Sequence, residues 1–139
     1  MDTILAVLTP DEIIKPSHPA YAKESQVWSA HKFLHPQIVA RPKTIETLSK
    51  LLQALNDSDV EFNVRSGGCG NASSKNVLIS MTAFDGFEFH PEEGKGKEYV
   101  VVGAGQLWRD VDRKVEEFAR GYSGMWTLLV FSCDARSEV

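Results

Sequence analysis

Three glycines stand within four positions in the stretch Val64-Arg65-Ser66-Gly67-Gly68-Cys69-Gly70-Asn71. Glycine adopts positive φ without steric cost and leaves space for close backbone approach, so such a loop can turn its amides inward around a ligand. Successive inward amides form a nest that favours anions, and Arg65 adds a fixed positive charge beside it. The chemistry on offer is a cradle for the diphosphate of a nucleotide cofactor. The same residues also suit a tight turn between two strands that needs no ligand, and local composition leaves both readings open.

Other reactive residues assemble less well. His31 and His35 are four apart, the spacing of two ligands on one helix face, but Lys32-Phe33-Leu34 between them supplies no glutamate base. Pro36 also biases His35 away from helical geometry, so solvated or capping histidines are the better reading and no metal site is expected. No Ser/His/Asp order is recognisable, and no catalytic residue is assigned. Gly103-Ala104-Gly105-Gln106-Leu107-Trp108 follows a strand and opens a helix, as a dinucleotide fingerprint does. Trp108 stands where that fingerprint needs a small residue, which favours glycines that simply permit a tight strand-to-helix turn. Cys69 and Cys133 make no paired framework, which points to a reducing compartment.

The elements that must hold the glycine loop can be read on either side of it. Gln37-Ile38-Val39-Ala40 is a β-branched run, and Arg41-Pro42-Lys43-Thr44 punctuates it. Thr44 suits an N-cap with Glu46 in the first turn, and Ile45, Leu48, Leu51, Leu52 and Leu55 recur at helical steps. Val60, Phe62 and Val64 alternate into the loop. Beyond it, Val77 to Met81 reads as a buried strand and Phe84 to Phe89 as another. Pro91 to Glu98 reads as a hairpin turn, and Tyr99 to Val102 as the returning strand. A second amphipathic helix then carries Leu107, Val111, Val115 and Phe118 on one face. Before residue 37, Thr9-Pro10-Asp11-Glu12 resembles a helix start, and Tyr21 to Phe33 reads as a helix with Val27, Trp28 and Phe33 on its apolar face.

The totals narrow the class. A chain of 139 residues with 42% hydrophobic and 24% charged residues suits a single globular domain with its own core. A net charge of −4 with acids and bases interspersed argues against a nucleic-acid partner. No stretch approaches the ~20 apolar residues that span a bilayer, so no membrane partner is expected. Met1 to Leu8 lacks a basic start and a small-residue cleavage site, so a cytoplasmic location is expected.

Taken in order, these pieces resemble the N-terminal part of the FAD-binding domain shared by p-cresol methylhydroxylase, vanillyl-alcohol oxidase and berberine bridge enzyme-like oxidoreductases. The resemblance rests on Ile38 to Glu46, Val64 to Gly68, Val77 to Met81, and Val101 to Gly105 with Trp108 and Val111, and it covers about residues 20–122. It implies an α+β fold, a small mixed sheet with packed helices. Residues 1–36 would be an irregular and helical extension, 37–123 a partial flavin domain, and 124–139 a divergent tail.

It further implies FAD as cofactor, its diphosphate wrapped by Arg65, Ser66, Gly67, Gly68, Cys69, Gly70 and Asn71, with Pro42 near the adenine end. The expected activity is that of an FAD-linked oxidoreductase acting on a small organic metabolite, in secondary metabolism. Cys69 stands where many relatives carry a histidine that can hold the flavin covalently. Neither the second half of the flavin domain nor the substrate domain is recognisable, so the chain reads as truncated. A homo-oligomer or a partner chain would then cover the open half. The alternatives are a flavin-free protein that reuses the fold fragment to shape a substrate or bind a partner, and an inactive truncation.

Overall fold

Two runs of apolar residues, Ile38–Ala40 (β2) and Val77–Ser80 (β4), pair in parallel with Val39 opposite Leu78, and every residue in both is buried. Parallel strands covered on both faces require such continuous apolar runs. The computed structural model describes residues 2–68, 70–90 and 99–119. The hairpin turn expected at 91–98, the tail 124–139 and Cys69 lie outside the described residues.

The four-stranded sheet has the order β1-β2-β4-β3. Phe62–Arg65 (β3) runs parallel to β4 at one edge, and Ile13–Ile14 (β1) is antiparallel to β2 at the other. A separate antiparallel pair joins Phe87–His90 (β5) to Tyr99–Val102 (β6). The sheet is therefore mixed and small, as the resemblance implies.

Because strand side chains alternate between faces, the two faces of the sheet build two core clusters. Ala40, Val77 and Ile79 pack with Ile4 and Leu8 and with Leu51, Ala54 and Leu55 of the helix Ile45–Asp57 (α3). Val39 and Leu78 pack on the other face with Ile14, Ala20 and Tyr21. Thr44 caps α3 by accepting from the amide of Thr47 at 3.1 Å. The buried stripe of α3 is narrower than the sequence periodicity suggests. Ile45 in its first turn is 72% exposed, and Ala54 lies in the core instead.

Of residues 1–36, expected as an extension, Ile4 and Leu8 lie in the main core. The helix Asp2–Val7 (α1) contributes Ile4, which is fully buried, and β1 extends the sheet. The helix expected over 21–33 ends much earlier, as Tyr21–Ser25 (α2), because Gln26 turns out at ψ 136°. A separate 3-10 turn follows at Ala30–Lys32. His31 sits in that turn and His35 adopts φ +53°, so the pair shares no helix face. The strand expected from Phe84 begins only at Phe87, because the amide of Phe84 closes a turn onto the Met81 carbonyl at 2.9 Å.

The helix start read at Thr9-Pro10-Asp11-Glu12 is a 3-10 turn that ties the N-terminal segment to the β2–α3 connection. The buried Glu12 carboxylate accepts from the Thr9 amide at 3.0 Å, the Thr9 hydroxyl at 2.8 Å and the Lys43 amide at 2.8 Å. Burial alone pushes this carboxyl up, but the bonds from Thr9 and Lys43 outweigh it and hold the group below the usual glutamate value. A depressed folded value means stability that is present above the ordinary glutamate range and is lost as pH falls through the folded value. Glu12→Gln is expected to lower stability at pH 7 by about 1.5–3 kcal/mol, the usual worth of charged hydrogen bonds. It should also flatten the acid limb of a pH–stability curve taken by urea titration; an unchanged acid limb would exclude Glu12 as its source.

Candidate functional site

β3 leaves the sheet at Arg65, whose carbonyl accepts the Met81 amide at 2.8 Å. The next residues turn across the start of the helix Trp108–Ala119 (α4). Gly67 lies so close to it that an added Cβ would stand 2.7 Å from Leu107 Cδ2 and 3.1 Å from the Gln106 carbonyl oxygen. Gly68 adopts φ +89°, and a Cβ there would overlap the Arg65 guanidinium. The Ser66 hydroxyl bonds the Ala104 carbonyl. The glycine loop and the Gly103-Ala104-Gly105 turn, more than thirty residues apart, are thus one structure.

The second turn explains its own glycines. The amide of Gly103 donates to the Gly86 carbonyl at 2.8 Å, and that of Gly105 to the Phe84 carbonyl at 2.9 Å. A Cβ at Gly103 would run into the Phe84 carbonyl, and one at Gly105 into the Met81 carbonyl. Val111, 1% exposed, buries the next turn of α4.

Two clefts open on the two sides of this junction. One, of about 370 Å³, lies between the loop (Val64, Ser66, Gly68, Gly70) and Leu107 and Trp108. The other, of about 710 Å³, is lined by Glu24, Arg41, Arg65, Thr82 and Gly105 together with α4 residues. Both fall in the ~300–1,000 Å³ range of small-molecule sites. Arg65, Gly67, Gln106 and Leu107 line both.

Arg65 is turned inward. It is 6% exposed, its Nε donates to the Gln26 carbonyl at 3.2 Å and its Nη2 to the Lys23 carbonyl at 3.1 Å. Its Nη1 lies 3.8 Å from Glu24 Oε2. The cation that the sequence placed beside the loop is therefore the support beneath it. Arg41, which sequence reasoning passed over as punctuation, lines the larger cleft, with Nη1 3.9 Å from Glu24 Oε1. Its Nε is buried and meets no acceptor among the described residues.

The remaining expected site residues divide. Ser66, Gly67, Gly68 and Gly70 line the smaller cleft. Asn71 is not among its lining residues; its Oδ1 accepts the Ser29 amide at 3.0 Å, and the Gly70 carbonyl accepts the Trp28 amide at 3.1 Å. Pro42 is fully buried and lines neither cleft, because its neighbours Arg41 and Lys43 are drawn by their amides onto Glu12. Among the described residues, no group of three or more His, Cys, Asp and Glu is placed to hold a metal ion, and no helix is long and apolar enough to cross a membrane. Sequence reasoning also missed Gln106, Leu107 and Trp108. The signal available was the Gly-Ala-Gly turn that delivers them.

Comparison with known proteins bears on this geometry. A family profile described as an FAD binding domain matches residues 36–125. An FAD-dependent monooxygenase of Penicillium terrestre is 27% identical over 119 residues, 81% of this chain and 22% of that protein. The chain thus spans about a fifth of that relative's length. Among solved structures, a BBE-like protein of Physcomitrella patens superposes with a TM-score of 0.66 at 16% identity, over 84% of this chain and 26% of that one. p-Cresol methylhydroxylase superposes at 0.63 with 13% identity, over 84% and 24%. At these identities the shared property is the fold.

The residues present suit the diphosphate of FAD. Among the described residues, no hydrogen bond engages the amides of Ser66, Gly67 or Gly68, and all three residues border the smaller cleft. Unengaged donors on a glycine turn are a natural anion site.

Proposed function

Because the chain belongs to the FAD binding domain family, we propose that the loop from Arg65 to Asn71 holds the diphosphate of FAD and that the protein is an FAD-linked oxidoreductase. Its substrate in this reading is a small organic metabolite of secondary metabolism, oxidised in the manner of the fungal monooxygenase it resembles. The observation that carries the reading is the set of amides at 66–68, beside the cleft, that no hydrogen bond engages among the described residues. Bound flavin supplies the redox chemistry. The chain supplies the grip: amides for the phosphate oxygens, Leu107 with Trp108 for an apolar wall, and Arg65 as the support beneath the loop. Cys69 remains a thiol in a reducing, cytoplasmic setting.

Phe62 and Val64, on the edge strand β3, are 40% and 44% exposed, an apolar pair at the edge of the sheet. A second copy or a partner chain is the cover we assign to it, since water-exposed apolar area of this kind favours association. Purified protein is expected to be yellow, with flavin absorbance near about 450 nm, and to sediment as more than a compact monomer. Acid precipitation separates the two attachments: released colour means noncovalent flavin, retained colour a covalent link. A colourless protein that leaves the fluorescence of added FAD unquenched would overturn the reading.

A second reading has its own support. Gly67 and Gly68 are both required by contacts within the chain, against Leu107 and Arg65. A flavin-free protein that keeps the fold as a substrate-shaping or interaction module would need the same glycines. The same spectrum decides between them.

A further inference from the structure

We propose that Glu24 is the positioning residue of the glycine loop, acting through Arg65. The inference rests on the reading that this loop binds the FAD diphosphate. Glu24 belongs to α2, in the segment the sequence presents as an extension, yet it is only 4% exposed. A carboxylate taken out of water needs partners. Glu24 Oε2 accepts from the Ser80 hydroxyl at 2.5 Å, at the end of β4, and from the Thr82 hydroxyl at 2.8 Å, in the turn that follows it. The carboxylate is thereby pinned to the rigid centre of the sheet.

From there the constraint passes outward. Glu24 Oε2 faces Arg65 Nη1 at 3.8 Å, while the carbonyls of Gln26 and Lys23 hold Nε and Nη2 of the same guanidinium. All three partners come from the segment 23–26, so the guanidinium is fixed in plane and direction. Gly68 then lies directly on it: the left-handed turn at φ +89° has no space for even a Cβ above Nη2. The guanidinium is the floor on which the turn at Gly68 is set. The Trp28 and Ser29 amides fasten the far end of the loop at Gly70 and Asn71. An N-terminal strap therefore holds the loop at both ends, and Glu24 is its anchor.

Charge and position make opposite predictions here. Arg41, Arg65 and Glu24 together carry one net positive charge at the larger cleft. Glu24→Gln raises that to two while keeping size and shape. If the cluster acted only through its field, FAD would bind more tightly to the variant. If Glu24 acts by positioning, FAD binds roughly tenfold more weakly, the loss expected for one charge-assisted bond.

The test measures FAD affinity by fluorescence quenching, and hydrogen exchange by mass spectrometry on the protein without FAD, for the full chain and for Glu24→Gln. The expected result is weaker FAD binding with faster exchange confined to residues 23–29 and 66–71. Unchanged or tighter FAD binding, or exchange that rises equally throughout the chain, would overturn the proposal. If the unsubstituted chain fails to bind FAD, the cofactor reading falls. Local acceleration in the variant would still establish the anchoring role, and its absence would remove that role too. Should Glu24→Gln fail to fold, Thr82→Val removes one hydroxyl from the carboxylate and is expected to quicken exchange at the same residues; no change there would overturn the proposal.

Discussion

Gly105→Ala is expected to lower the stability of the chain by about 3 kcal/mol, the upper part of the usual range for forcing atoms into a packed site. The added Cβ would enter the Met81 carbonyl and stand 2.7 Å from Thr82 Cα. Both obstacles are backbone, so no side chain can swing aside. The movement that relieves them would stretch the bond from the Gly105 amide to the Phe84 carbonyl, now 2.9 Å. It would also displace Gln106 and Leu107, against which Gly67 is packed. The fall should be read as a lower urea midpoint with an unchanged slope, and it should be accompanied by weaker FAD binding. Ala104→Ser, at the exposed position between the two glycines, is expected to stay within about 0.5 kcal/mol of the parent. Equal stabilities for the two variants would show that the turn has slack the structure lacks.

Arg65→Ala is expected to cost about 3–5 kcal/mol, because removing one partner of a buried ion pair leaves the other charge uncompensated. Glu24, 4% exposed, would lose the better buried of its two cations, and the Gln26 and Lys23 carbonyls would lose their donors. Arg65→Lys should recover little of this. An ammonium keeps the charge, but it lacks the planar fork that reaches two carbonyls and a carboxylate at once. Thermal or urea unfolding measures the loss. An alternative role for Arg65 as a surface anion receptor predicts near-normal stability with a steep salt dependence of FAD binding; that pattern would refute the inward assignment.

These two variants divide the glycine residues and the arginine differently from any sequence argument. Glycine at 67, 68, 103 and 105 marks close approach, and the sequence conveys that something approaches closely at each. It conveys nothing about what. At 68 the neighbour is a guanidinium three residues back, at 67 a leucine forty positions away, and at 103 and 105 the backbone after β4. Arg65 offered a sharper lesson. An arginine before a glycine turn reads as an anion ligand, whereas this one is held by residues 23–26, whose separation from it exceeds any local window. Pro42, expected at the adenine end, is fully buried and lines neither of the two clefts.

What the sequence determined by itself is what depends on local pattern. Short apolar-rich runs at 38–40 and 77–80 required strands buried on both faces, and leucines at three- and four-residue steps required α3 to lie across them. Together with the glycine loop and the Gly-Ala-Gly turn in their order, those elements were enough to place the chain in its family. Only the tertiary structure decided that Ile4 and Leu8 join the same core as the sheet and α3, and that Glu24 and Arg65 meet beneath the loop. It also decided that Arg41, Leu107 and Trp108 join the site. The physical reason is one of range. Hydrophobic periodicity and backbone preference act over a few residues and leave a mark on the chain. A buried ion pair or a missing Cβ is specified by whichever residue the fold brings opposite it.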